Sequence, residues 1–474
     1  MYIQRAKIEN FRLFEEFKLE ASDLNVPDGL NEGSGLTVFV GENGTGKTTL
    51  LEALALPLVS YRSDDMSLHD FRDINKKIEV KVAANAQFEV KKTMPRASFQ
   101  AIGFHFYSNL RTRDTSAYPV GPITKDTKYI PAPSESIDDN SVELRASVDN
   151  PYSGPRFKDN DYLFIDKKRN KQLESGMFSS SRFDRLTDNF NFQYLKNNHE
   201  ALKDPNEKAR TEIGADSIDN THLRNAFDEF ESLCGYKVGV SLLDNQVPYR
   251  KAFLTYEQGN DLQLPITSMG NGYQMLLAIL CQYHLSLQSG RQLIIFIDEI
   301  ELHLHNKIQK QLAELLLKIS ATSQIIITTH SAEVLKSFAQ NSHHKLNVLV
   351  DDSGMIKINP ADKYVLPTPS VNESAYVALG VDGVEYFNEL YSYLMDLKGK
   401  TNIVSFDAEI ANGQRMIAWH NNSNGRTENL SVHSCIRHKI HHPDNTTNDT
   451  ALNFDVELPS SIQFLRQQII NHAP

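Results

Sequence analysis

Hydrophobic and polar positions alternate through the first twenty residues, "MYIQRAKIENFRLFEEFKLE", which predicts two strands around a turn at "ENFRLF". A short strand, "LTVFV", a glycine-rich turn and an apolar helix, "GKTTLLEALAL", follow, with Pro57 as the stop. From about 61 to 265 the pattern loosens. Strand-like runs ("KIEVKVAANAQFEV", "ASFQAIGFHFYS") precede a polar stretch, 111–160, whose Asp, Ser, Pro and Asn predict long loops. The segment "THLRNAFDEFESLCG" spaces Leu223, Phe227, Phe230 and Leu233 as a helix does. Order returns at 264–350: a turn, "TSMGNG", a helix, "YQMLLAILCQYHLSL", a strand, "LIIFID", a helix, "NKIQKQLAELLLKI", and a strand, "QIIITTH". Such continuous apolar strands suit the centre of a mostly parallel sheet covered on both faces. "KLNVLVDDSGMIKI" predicts a closing hairpin, "YVLPTPSVNES" a linker, and helical patterns dominate beyond it. No heptad repeat is sustained, so no long coiled-coil arm is expected.

Composition narrows the class. A chain of 474 residues, 40% hydrophobic and 23% charged, is long enough for two or three globular domains. No stretch approaches the roughly 20 apolar residues that span a bilayer, and the start lacks a signal-peptide core. Three cysteines (Cys234, Cys281, Cys435) without metal-ligand spacing fit a reducing cytosol, hence a cytoplasmic protein. The net charge of −11 argues against a surface that grips DNA along its length. The densest basic run, "KKRNK" at 167–171, reads as solvated surface.

The chemistry concentrates in three places. "GENGTGKTTL" fits G-x-x-x-x-G-K-[ST] between a strand and a helix. Gly41, Gly44 and Gly46 let backbone N–H groups turn inward on phosphates, at a helix N-terminus whose dipole adds to the attraction. Lys47 is placed for the β- and γ-phosphates and Thr48 for Mg²⁺; Asn43 and Thr49 complete the candidate ATP loop. "LIIFIDEIE" is an apolar strand ending in two acids: Asp298, a candidate Mg²⁺ ligand, and Glu299, a candidate to polarise the attacking water. "QIIITTHS" ends a second apolar strand at His330, a candidate partner of the γ-phosphate.

The order of these motifs resembles the ABC-type ATPase heads, and among them the soluble SMC/Rad50-like and OLD-like ATPases. The opening strand, "NFR" and second strand strengthen the likeness, which covers 1–60 and 260–340 well and 61–260 loosely. It implies an α/β fold: an ABC-type P-loop head over 1–365, with an inserted lobe at about 61–262, and a small, mostly helical C-terminal domain over 366–474. It further implies that two heads sandwich two nucleotides. The turn "TSMGNGYQ" of one copy, through Ser268, Gly270 and Gly272, would then contact the γ-phosphate bound by the other. The resemblance places Arg12 toward the nucleotide, a Mg²⁺-sensing Gln in the middle lobe, where several candidates exist, and "ELHLH" with His303 and His305 at the surface where heads touch.

A membrane partner is not expected, and Asp351 and Asp352 lack the glutamates of a Toprim nuclease. In the tail, "HSCIRHKIHHPDN" carries Arg437, His441 and His442, a spacing that resembles the Arg–four–His ribonuclease motif of HEPN domains. The whole arrangement is most similar to the PtuA family of ATPases in Septu-type and retron-associated antiphage systems. That likeness implies an oligomeric, nucleotide-controlled subunit partnered by an HNH nuclease of the PtuB kind, with nucleic acid met through the complex. A self-contained ATPase-gated HEPN ribonuclease and a Rad50-like repair ATPase are the alternatives.

Overall fold

The computed structural model describes residues 2–55, 68–73, 76, 78–85, 102–110, 123–130, 162–165, 221–242, 252–258, 262–288, 292–302, 304–421, 425–448 and 451–472. The predicted N-terminal hairpin forms from β1 (Tyr2–Phe11) and β2 (Phe14–Leu19), closed by the Phe11–Phe14 pair. It belongs to an antiparallel sheet ordered β2-β1-β4-β5-β6, with β4 at Ile78–Asn85, β5 at Ile102–Leu110 and β6 at Ile123–Ile130. β6 falls inside the stretch expected to be loops; its pairing with β5 supplies the backbone partners that its polar sequence did not advertise.

The second sheet is ordered β14-β13-β3-β12-β11-β7. Its strands are β3 (Leu36–Gly41), β7 (Tyr162–Ile165), β11 (Ile294–Ile297), β12 (Gln324–Thr328), β13 (Lys345–Asp352) and β14 (Met355–Pro360). The pairs β7/β11, β11/β12, β12/β3 and β3/β13 are parallel. Every residue of β3, β11 and β12 is buried, as strands covered on both faces require. A smaller antiparallel sheet joins β8 (Val238–Leu242), β9 (Ala252–Gln258) and β10 (Leu262–Pro265).

Helix α1 (Lys47–Ala55) is buried on nearly all sides, and its Leu50, Leu51 and Leu54 share one core with Ile3, Ile8 and Phe17 of the antiparallel sheet and Phe39, Phe296 and Ile326 of the parallel one. This core fixes the loop before α1 between two sheets. Gln324, fully buried at the start of β12, accepts from the Ile3 N–H and donates to the Ile3 carbonyl, both at 2.7 Å. Helices α2 (Thr221–Cys234), α3 (Asn271–Gln288) and α4 (Asn306–Ile319) are tied through Glu229 of α2, which meets His284 of α3 at 2.9 Å and Lys318 of α4 at 2.6 Å. The architecture is the expected mixed α/β one, a mostly parallel sheet with flanking helices.

Two compact units result: Met1–His330 with Asn341–Asn359, and Ser331–Gln340 with Pro360–Pro474. The second unit holds helices α5 (Ala332–Ala339), α6 (Val371–Leu379), α7 (Val384–Leu397), α8 (Ile403–Ile410), α9 (Val432–His441) and α10 (Phe454–His472). It also contains a hairpin of β15 (Met416–Asn421) and β16 (Arg426–Ser431), where helical pattern was expected. Tyr386, Tyr391, Phe406, Trp419, Ile462 and Leu465 form its core.

Within that core His433 bonds Ser461 Oγ at 2.9 Å and Gln414 Oε1 at 3.1 Å and stacks on Phe464. Burial lowers it from 6.5 to about 4, so the folded state keeps it neutral where the unfolded chain takes a proton. Its stability contribution is therefore present above pH 6.5 and lost as pH falls toward 4. The loss amounts to about 3 kcal/mol. Thermal unfolding followed between those limits is expected to steepen with acidity in the native protein and to flatten in His433→Gln.

Candidate functional site

The loop between β3 and α1 is shaped by glycine and by one lysine. Gly41 sits at φ +151, where a Cβ would lie 2.4 Å from the Leu349 carbonyl oxygen of β13, so no larger residue fits. Gly44 and Gly46 continue in left-handed backbone, at φ +90 and +84. Lys47, only 5% exposed, folds its ammonium under the loop and donates to the carbonyls of Gly41 (2.8 Å) and Glu42 (2.7 Å). Burial draws it down to about 8, against the opposing pull of Glu299, Asp298 and Glu301. A desolvated cation facing neutral carbonyls is a site built for an anion. Asn43 is exposed in the loop, and Thr49 is buried in α1.

Thr48, one residue on, donates to Asp298 Oδ2 at 2.8 Å. Asp298 is fully buried, and its other oxygen accepts from Thr328 Oγ1 at 2.7 Å. The same threonine hydroxyl accepts the Glu299 N–H at 2.8 Å. Glu299 holds φ +48, a left-handed conformation that costs a non-glycine residue roughly 1–2 kcal/mol and persists only where surroundings impose it. Here they do: Thr328 holds Glu299 N–H, and the Ile300 N–H reaches the Thr328 carbonyl at 3.1 Å. His330, half-buried, follows Thr329 at the end of the neighbouring strand, its N–H donating to Glu301 Oε1 at 2.7 Å.

Thus Lys47, Thr48, Asp298, Glu299 and His330 converge at the ends of adjacent parallel strands, the crevice where open α/β sheets take ligands. A hydroxyl and a carboxylate in contact are the hard oxygen donors that suit Mg²⁺, which is held by few protein ligands and by phosphate oxygens. Among the described residues no group of three or more His, Cys, Asp or Glu forms a dedicated metal centre. None of their helices is long and apolar enough to cross a membrane.

The other predicted residues have different surroundings. Arg12 is ion-paired with Glu52 of α1 and, at 2.7 Å, with Asp70, in a turn that Asn10 braces by bonding the Asp73 and Lys76 carbonyls. Ser268 and Gly270 are exposed just before α3, with Ser268 Oγ donating to the Pro265 carbonyl at 2.7 Å. Gly272 is buried instead: a Cβ there would stand 2.4 Å from Leu304 Cδ2, so the start of α3 packs closely on the loop after β11. His305 caps α4 and is exposed; His303 and the basic run 167–171 lie outside the described residues.

In the second unit Arg437 lies over the Tyr391 ring at 4.8 Å and donates to Asn388 at 3.2 Å. His442, just past the end of α9, stacks on His438, which stacks on Trp419; His441 is exposed. Residues the sequence reading passed over are Thr328, Glu301 and Asn10. The doublet Thr328–Thr329 directly before His330 was the available signal for the first.

Three solved structures of similar fold are heads of SMC proteins. One is the SmcHead bound to the C-winged helix domain of ScpA: 16% identity, 76% of this chain and 98% of that chain covered, TM-score 0.45. Another is the Smc head with an extended coiled coil bound to the C-terminal domain of ScpA, derived from Pyrococcus furiosus: 14% identity, 76% and 96% covered, TM-score 0.41. The third is the SMC head domain from Thermotoga maritima: 14% identity, 76% and 100% covered, TM-score 0.33. Curated proteins give no match. Residues 36–336 match the family described as "AAA domain, putative AbiEii toxin, Type IV TA system", and with most of its length inside that match the chain belongs to this family of P-loop ATPase domains.

Proposed function

We propose that this chain binds and hydrolyses ATP as the regulatory subunit of an antiphage complex, pairs with a second copy through its heads, and controls an HNH nuclease partner of the PtuB kind. The observation that carries the reading is the hydrogen-bonded series Thr48–Asp298–Thr328–Glu299 beside the buried Lys47. The family's description as a toxin supports a role in defence or growth control.

In this reading Lys47 and the backbone N–H groups of 44–48 bind the β- and γ-phosphates. Thr48 and Asp298 hold Mg²⁺, which supplies neutralisation of phosphate charge when bound. Thr328 keeps Asp298 aimed, and Glu299 orients a water and takes its proton. His330 donates to the γ-phosphate. Arg12 acts through Glu52 on the P-loop helix. The exposed Ser268 and Gly270 meet the nucleotide of the second copy, at the N-terminus of α3.

The test uses purified chain with ATP or ADP. Its mass in solution is expected to double, or to rise to a higher even multiple, with ATP alone. Cleavage by the co-purified nuclease is expected to differ between the two nucleotides. Identical mass and identical cleavage with both would defeat the reading.

A further inference from the structure

Three acids, not two, stand in the loop after β11, and the third uses both its oxygens at the end of the neighbouring strand. Glu301 Oε1 accepts the His330 N–H at 2.7 Å, and Oε2 accepts the Thr329 hydroxyl at 2.7 Å. Both oxygens of one carboxylate are thus spent on two consecutive residues at the end of β12. Bonds of this length to an ionised acceptor are roughly twice as strong as neutral ones. On the other side the loop is closed on itself: the Leu302 N–H donates to the Glu299 carbonyl at 2.9 Å, and the Leu304 N–H to the Glu301 carbonyl at 3.1 Å. Glu301 therefore sits two residues from Glu299 in a tight turn and grips the backbone of His330 directly.

We infer that Glu301 is a positioning residue for hydrolysis, holding His330 in fixed register with Glu299; this rests on the ATPase reading of the site. The distinction from a plain structural bond lies in what the two ends carry. One end is the backbone of the proposed γ-phosphate partner, and the other is the left-handed turn that presents the proposed base. Loosening the link leaves the two Lys47 ammonium bonds to the loop carbonyls in place, because neither runs through Glu301, whose charge is the smallest of the three that act on Lys47. Nucleotide binding and turnover should consequently separate.

Glutamine can reproduce the grip: its carbonyl accepts the His330 N–H and its amide donates to the Thr329 hydroxyl oxygen. Alanine can reproduce neither. With Mg·ATP as ligand, Glu301→Ala is expected to lower kcat on the order of 10²-fold, the effect of a reacting group displaced by about 1 Å. Its Kd for ATP stays within about 3-fold of native, since only turnover depends on the alignment. Glu301→Gln should recover kcat to within about 3-fold, which a role for the charge itself would not allow. In a His330→Ala background the further change to Glu301→Ala should cost little, because a residue acting through another adds nothing once the other is gone. Native kcat in Glu301→Ala, failure of Glu301→Gln to rescue, a parallel loss of ATP affinity, or fully multiplicative losses with His330→Ala would each overturn the inference. Turnover that survives both Glu299→Gln and His330→Ala would overturn the catalytic roles on which this inference rests, whereas a native chain that binds Mg·ATP and never cleaves it would strike the ATPase reading itself.

Discussion

Replacing Lys47 with alanine is expected to abolish ATP binding, lowering affinity by about 10³-fold or more, while the protein stays folded. The reason is the ammonium's position. It is buried, drawn down to about 8 by desolvation, and bonded to two carbonyls of the glycine-rich loop, so its charge is fixed at that loop. Leaving phosphate charge uncompensated in such surroundings costs about 3–5 kcal/mol, the penalty of breaking a buried pair from one side. Arg12, the nearest alternative on the sequence reading, is committed to Glu52 and Asp70. Stability should change little, because the deletion also removes a desolvated cation. Calorimetric titration of ATP into Lys47→Ala, with a thermal melt as control, checks both halves. Binding within tenfold of native would mean that this loop is not where the triphosphate sits.

What the sequence disclosed and what it hid follow from the range of the forces involved. The strands "LTVFV", "LIIFI" and "QIIIT" were legible because burial on both faces leaves an uninterrupted apolar run between turns. The loop and the first two acids were legible because each is a local pattern. Glu301 and Thr328 were not, since their partners, His330 and Asp298, lie 29 and 30 residues away in sequence and only strand pairing brings them together. Gly272 stands in a glycine-rich turn, and its close neighbour Leu304, far off in sequence, belongs to the acid loop. The β15–β16 hairpin was missed for a related reason. Only Ile417 and Trp419 mark the buried face of β15, and Ser431 ends β16 and caps α9 without an intervening loop. Two inward residues are too few to outweigh helical pattern on either side.

Glu299→Gln is expected to bind ATP as well as the native chain, to hydrolyse it on the order of 10²–10⁴-fold more slowly, and to accumulate as joined heads. The first part follows because glutamine is nearly isosteric and the backbone, not the side chain, holds the turn. Glu299 stays at φ +48 through its N–H bond to Thr328 Oγ1 and the Ile300 bond beyond it, and Lys47 and Thr48 are untouched. The second part is the worth of a positioned general base, which an amide cannot replace. The third follows from the first two. If a bound triphosphate bridges Lys47 of one copy to the exposed Ser268–Gly270 turn of another, the bridge lasts as long as the γ-phosphate does. On that reading the native protein would cycle through the joined state, and a variant that binds without cleaving would stay in it. Mass measurement of Glu299→Gln in excess Mg·ATP should show an even multiple of the chain that persists for hours after free nucleotide is removed, while Lys47→Ala remains at the nucleotide-free mass. A Glu299→Gln protein that binds ATP at native affinity yet never changes mass would separate the catalytic reading, which would stand, from head pairing, which would not. Adding Ser268→Arg to Glu299→Gln then addresses the contact itself. A bulky cation on the exposed turn should block the joined state without altering the ATP affinity of the single copy, because Ser268 lies outside the Gly41–Thr48 loop.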